Sequence, residues 1–290
     1  YFPIFEEALD RHGLPIELKY LAVVESGLNP SARSHAGASG LWQFMYSTAR
    51  SQGLRIDSYI DERRDPLRSS EAACHFLKKL YNRYGDWYMA LAAYNAGPGN
   101  VNKAIRRSGG KDNFWEIRYF LPRETRNYVP AFMAVVYLME FHAEHNIYPS
   151  TLLSPYAALD TVEVSTVLRF DQIAAHLDLD ERALEQLNPM YRLNIIPGPP
   201  EKWPIVLPQE SIPTFLAYQD SMVLHEPERT PKIVFVPEPV LYKVKSGDVL
   251  GKIASDYGVN VKQLKEWNGL RGTMIRVGQK LKIHANPRSL

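Results

Sequence analysis

The sequence predicts a multidomain chain: an all-α domain followed by small α+β (βααβ) modules. Three observations carry this. Residues 1 to about 148 show helical periodicity, and strand alternation is scarce there. Near Asn146 the composition turns to Pro, Ser and Thr. Beyond that point, two segments match each other at a constant offset of 80 residues.

The helical part, 1–148, is read from "EEALDRHG", "IELKYLAVVE", "SSEAACHFLKKLYNRYG", "WYMALAAYNAG" and "YVPAFMAVVYLMEFHAEH". Gly, Pro, Asn or Asp breaks separate them. Five or more helices are expected.

The last block, 240–285, opens with a strand pattern, "YKVKSGD". Helices are expected at 249–257 and 261–267, and "QKLKIH" closes the unit as a second strand. A unit of about 45 residues is near the lower limit for independent stability. An earlier block, 158–208, repeats it. Val164, Ile173, Ala174, Leu184, Asn188 and Ile195 answer to Val244, Ile253, Ala254, Leu264, Asn268 and Ile275. A duplicated unit explains the constant offset; two unrelated βα segments matching by chance is the alternative. The earlier copy has "STV" at 165–167 in place of "SGD" and extra prolines before its last strand. It is expected to keep the fold without the ligand. Residues 209–239, with "HEPERTPKIVFVPEP", read as a Pro-rich connector or strap.

A net charge of +2 gives no case for nucleic acid. The single cysteine, Cys74, allows no disulfide within the chain and no Cys-rich zinc pattern. No run of about 18 apolar residues occurs. The histidines at 12, 35, 75, 142 and 145 lack metal-ligand spacing, and no Ser-His-Asp nucleophile motif is present. Neither a metal nor a cofactor is expected. "ERRDPLR" and "IRR" are expected to be solvated faces.

Glu25 stands out. Leu18, Leu21 and Glu25 fall on one helical stripe, so the carboxylate is expected to face the domain. Burial raises a carboxyl pKa, which suits a general acid near neutral pH. A structural glutamate paired with an arginine would read the same way. Three further clusters accompany it. "GASGLWQFM" (37–45) supplies small, aromatic, amide and thioether groups of the kind that suit sugars, or that simply form core. "ALAAYNAGPGNV" (90–101) puts Tyr94 and Asn95 at the end of an Ala-rich helix. "LPRETRNYVPAF" puts Glu124, Arg126 and Tyr128 at a helix start.

Taken together, "ESGLNPSARSHAGASGLWQFM", "AAYNAGPG" and "PRETRNYV" resemble the catalytic domain of the soluble-lytic-transglycosylase family, a lysozyme-like fold related to goose-type lysozyme. "DERRDP" (61–66) and "FW" (114–115) fit the same family. The C-terminal block resembles a LysM module, and 158–208 a divergent one.

The resemblance implies a peptidoglycan lytic transglycosylase, a lyase. Glu25 would protonate the oxygen between N-acetylmuramic acid and N-acetylglucosamine. It would then act as base on the muramic acid C6 hydroxyl, leaving a 1,6-anhydro end. Ser34, Gln43, Met45, Tyr94, Asn95 and Tyr128 would line the glycan groove, with Tyr94 holding Glu25 by a hydrogen bond. Glu124 would either touch substrate or cap its helix and pair with Arg123 or Arg126. Tyr46 departs from the family, where Pro is usual. In the LysM unit, Gly247, Asp248, Val249 and Leu250 would face Thr273, Met274 and Ile275 across an N-acetyl sugar. Gly247-Asp248 also reads as a plain turn with Asp248 as a helix N-cap. The implied partner is the peptidoglycan glycan strand, with no nucleic acid. The implied location is the Gram-negative periplasm at the outer membrane, through an N-terminal lipid anchor outside this chain. Two alternatives stand beside this reading: a hydrolytic muramidase using Asp57, Asp61 or Asp65, and an inactive glycan-binding protein.

Overall fold

Asp65 and Pro66 start the longest helix for plain reasons. Pro66 has no N–H to leave unsatisfied, and the Asp65 carboxylate accepts from Arg68 N at 2.8 Å. The computed structural model describes residues 1–148, 158–222, 240–257 and 259–284. The Pro/Ser/Thr change expected at 149–157 and the segment "HEPERTPKIVFVPEP" lie outside them. The chain divides into two compact units. The larger spans Tyr1–Arg55 and Tyr59–Thr230, and the smaller spans Ile56–Ser58 and Pro231–Leu290.

The helical domain of the larger unit runs α1 (Phe2–His12), α2 (Leu21–Ser26), α3 (Tyr46–Ser51), α4 (Pro66–Tyr84), α5 (Trp87–Ala96), α6 (Pro98–Arg107), α7 (Phe114–Ile117) and α8 (Arg123–Glu140). A 3₁₀ turn, Ile16–Tyr20, leads into α2. α5 is the axis of the domain. Met89, Ala90, Leu91, Ala92 and Ala93 are all buried, so it is apolar all round. Its alanines let neighbouring helices come close, and it packs against α4, α6 and α8. Pro130 lies inside α8 and cannot bond the carbonyl of Arg126. Arg118 Nε supplies the missing donor to that carbonyl at 2.8 Å, which keeps the helix continuous past the site.

The first module follows with β1 (Leu159–Val164), β2 (Leu168–Arg169), α9 (Phe170–Leu177), α10 (Glu181–Leu187), β3 (Ile195–Ile196) and β4 (Trp203–Pro208). β1 pairs antiparallel with β4, Val164 opposite Trp203. The expected connector begins later than 209. Residues Ile212–Met222 form α11, and Phe215 enters the module core because that face of α9 is apolar. The module is also joined to the helical domain. Tyr59 and Ile60 lie in its core, Asp61 N donates to Met190 O at 2.9 Å, and Arg192 N donates to Tyr59 O at 2.7 Å.

The smaller unit contains β5 (Val240–Lys243), α12 (Leu250–Asp256), α13 (Val261–Asn268) and β6 (Lys280–Ile283), with β5 antiparallel to β6. Val244, Ile253, Ala254 and Leu264 form its core, as Val164, Ile173, Ala174 and Leu184 do in the first copy. The matched asparagines act alike. Asn188 Nδ2 donates to Leu184 O and Val206 O, and its Oδ1 accepts from Val206 N. Asn268 makes the same three bonds to Leu264 and Lys282. In each unit one amide ties the end of the second helix to the last strand, which accounts for an asparagine at both positions.

Candidate active site and glycan-binding loops

α2 ends at Gly27 in the left-handed region (φ 58°), which leaves Glu25 in its last turn. Leu18 and Leu21 are fully buried and Glu25 is half-buried, so the stripe read from the sequence faces inward. Ser26 Oγ donates to Leu41 O at 2.9 Å and fastens α2 to the loop at 37–45.

The Glu25 carboxyl is pushed up to about 7. Burial is the main cause and the negative field of Glu124 adds to it, while a hydrogen bond from Tyr128 acts against both. Tyr128 is itself buried and its hydroxyl donates to Glu25 Oε1. Burial and the neighbouring carboxylate raise the Tyr128 phenol, so it stays a donor. Tyr94 does not make the expected bond to Glu25. Its hydroxyl donates to Trp42 O at 2.7 Å, while the Glu25 charge still raises its phenol after burial does. Tyr128, coming from α8, holds the acid instead.

The loop at 37–45 is pinned from below. Arg63 is fully buried, against the expectation of a solvated "ERRDPLR" face. Its guanidinium grips Asp61 through Nε (2.9 Å) and Nη2 (2.7 Å), and Nη1 donates to Gly37 O and Phe44 O. Gly40 has φ 86°, and a Cβ there would stand 1.7 Å from Arg63 O, so only glycine fits. Asp61 and Arg63 are structural residues that sequence reasoning missed. A charge run such as "DERRDP" reads as a solvated face, because such runs are usually wet.

Gln43 is held at φ 47° while its Nε2 donates to Gly40 O and Ala32 O. Met45 is exposed, and exposed Ser34 accepts from Ala38 N at 3.0 Å. Asn95 accepts from Thr125 Oγ1 at 2.8 Å, which joins α5 to α8. Glu124 is exposed. It is not the cap of α8, whose N-cap is Pro122, and Arg126 Nε turns to Leu121 O at 3.0 Å. Of the carboxylates considered for a hydrolase, Asp61 is committed to Arg63 and Asp65 to the α4 cap; Asp57 is buried. Among the described residues no cluster of three His, Cys, Asp or Glu could hold a metal.

In the smaller unit, Gly247 (φ 87°) turns the chain after β5. Asp248 does not cap α12, which starts at Leu250. Its carboxylate accepts from Tyr242 Oη (2.6 Å) and Lys245 N (2.7 Å), and these bonds hold it below the usual carboxylate range. Val249, Thr273 and Met274 are exposed, Met274 at 88%. Leu250 departs from expectation: its side chain lies in the core and not on the loop surface. Ile275 packs partly on the same core.

The first module differs at the matching loops. Leu168 pairs with Ile196 and Arg169 with Ile195 as β2–β3, and Phe170 N donates to Asn194 O. The two loops that would flank a sugar are hydrogen-bonded to each other.

Comparison with known families agrees with this layout. Residues 2–116 match the transglycosylase SLT domain, 158–223 the LysM-like domain of lytic transglycosylase MltD, and 242–284 the LysM domain. An SLT-domain match, an MltD LysM-like match and a LysM match thus follow one another along the chain. It is 33% identical over 289 residues to membrane-bound lytic murein transglycosylase D of Escherichia coli, which covers 95% of this chain and 61% of that protein. The chain spans less than two thirds of that relative. It is also 33% identical over 132 residues to the peptidoglycan transglycosylase gp16 of Escherichia phage T7, 44% of this chain and 10% of the relative. The E. coli soluble lytic transglycosylase SLT70 structure is 28% identical, covers 49% of this chain and 24% of its own, and superposes with a TM-score of 0.42.

Proposed function

We propose that the protein is a peptidoglycan lytic transglycosylase whose acid and base is Glu25. The observation that carries this is a half-buried carboxyl held by a tyrosine, with no cation as its partner among the described residues, so that burial raises it to about 7. Such a group is protonated often enough to be an acid and, once ionised, is a strong enough base. Glu25 gives its proton to the glycosidic oxygen as the muramic acid C1–O bond breaks. The muramic acid C6 oxygen then bonds to C1 and its proton returns to Glu25. No water is consumed and no second carboxylate is required, unlike paired-carboxylate hydrolysis. Asp61 and Asp65 being engaged elsewhere supports this against the muramidase alternative.

Gln43, Met45, Tyr94 and Asn95 form the groove around the acid, and the exposed Val249, Thr273 and Met274 of the LysM unit hold the enzyme to its polymer. The first module does not bind glycan, because its loops are paired. The setting is the Gram-negative periplasm, in keeping with the membrane-bound name of the relative.

Mass spectrometry of digested sacculi tests the chemistry. Anhydro-muramic ends are expected, and reducing muramic ends would sink the reading. Glu25→Gln should lower turnover by about 10²–10⁴-fold.

A further inference from the structure

Between the helical domain and the first module lies a cavity that the proposed reaction leaves unused. Its volume is about 460 Å³, and Ser31, Arg64, Glu185, Tyr191, Arg192 and Asn194 are among its walls. Arg64 is the unusual member. Its side chain is 23% exposed, and its Nε is buried with no hydrogen-bond partner among the described residues. A buried guanidinium N–H left unmet is costly, so an acceptor is needed.

The nearby anions do not meet that need. Asp61 Oδ2 stands 3.9 Å from Arg64 Nε and is already gripped by Arg63 at 2.7 Å. Glu185, on the cavity wall, accepts from the Asn194 amide. Around Arg64 one carboxylate and three other arginines act on the guanidinium. Burial lowers its pKa, Asp61 opposes, and Arg192, Arg63 and Arg33 add to the lowering. A polar cavity with convergent guanidinium groups fits a planar carboxylate, which their fork geometry matches.

The cavity is close to the acid along the chain. Ser31 is six residues past Glu25, and the neighbouring Ala32 O accepts from Gln43 Nε2. Six residues span at most about 20 Å, and the turn closed by Ala32 N to Asn29 O shortens that. A four-residue peptide extends about 13 Å. A peptide attached to a sugar beside Glu25 can therefore reach toward the cavity.

We infer that this cavity binds a carboxylate of the peptide stem carried by muramic acid, with Arg64 and Arg192 as its ligands. The inference rests on the peptidoglycan reading above. It makes the junction with the first module part of substrate recognition, although that module's own sugar loops are closed.

The test uses the full chain carrying Glu25→Gln, titrated calorimetrically with a free stem tetrapeptide, its carboxyl-amidated form and inorganic phosphate. The tetrapeptide is expected to bind, with tenfold or greater loss on amidation and on either Arg64→Gln or Arg192→Gln. Unchanged affinity in Arg192→Gln, or equal binding of the amidated peptide, overturns the inference. Phosphate binding as tightly as the peptide overturns it too, leaving a general anion site. Thermal unfolding of each variant identifies a folding defect, and Arg192→Gln carries the test should Arg64→Gln not fold. Cleavage of whole sacculi by the parent protein, read as anhydro-muramic ends, is scored separately. Its absence would sink the transglycosylase reading and leave the peptide-binding result standing.

Discussion

Two carboxylates in the helical domain, Asp61 and Glu25, are both drawn out of water and meet opposite fates. Asp61 is 1% exposed and gripped at both oxygens by Arg63, which in turn carries Gly37 O and Phe44 O. Glu25 has a tyrosine hydroxyl on one oxygen, a like charge in Glu124 nearby, and a carboxyl raised to about 7. A bidentate cation makes a buried carboxylate a structural pin. A neutral donor and a desolvating wall make it a titrating acid. Burial alone does not separate the two; the partner does.

The comparison can be broken at either end. The largest effect is expected at the pin. Asp61→Asn leaves a buried guanidinium uncompensated and should cost about 3–5 kcal/mol, read by denaturant unfolding. A loss under about 1 kcal/mol would mean that the Arg63 pair is not what holds the loop.

Next is Glu25→Gln, read as stability against pH. The folded carboxyl titrates near 7, above its ordinary 4.5, so the folded state holds the proton more tightly. Its ionisation therefore costs stability as pH rises from about 4.5 to 7, and the cost is constant above that, up to about 3 kcal/mol. Glu25→Gln should be more stable than the parent at pH 8 and indistinguishable at pH 4, while nearly inactive at both. Equal melting temperatures at pH 8 would contradict the raised pKa.

Tyr128→Phe comes third. The lost bond to an ionised group is worth about 1.5–3 kcal/mol, and it favours the carboxylate, so the descending limb of the pH–rate profile should move upward by about one to two units. A downward shift would assign the hydroxyl another role. Smallest is Glu124→Gln. Removing an exposed like charge should lower that limb by a few tenths of a unit, more at low salt. No shift at any ionic strength would show that the field of Glu124 does not reach the acid.

Much of this was legible in the chain. Helical periodicity gave the all-α half, and the stripe through Leu18 and Leu21 turned Glu25 inward. Matched residues at a constant offset gave two related cores, down to the paired asparagines. The misses have physical causes. Tyr94 was expected on Glu25, but a hydroxyl at the end of α5 reaches the Trp42 carbonyl first, and the donor comes from α8, 103 residues from Glu25. Arg63 read as surface because its acceptors, Gly37 O and Phe44 O, are backbone atoms with no signature in side-chain type. Leu250 sat in a binding motif, yet the first turn of a helix points some side chains inward.

The sequence by itself determined that the first half is helical, which unit is repeated, and where an acid with sugar-compatible neighbours stands, since these depend on short-range periodicity and spacing. Tertiary structure decided what surrounds each charge. It gave Asp61 a guanidinium and Glu25 a phenol, and paired β2 with β3 in one module, a pairing without a counterpart among the described residues of the other. Desolvation and partner geometry act over a few ångströms between residues far apart in the chain, and no local pattern encodes them.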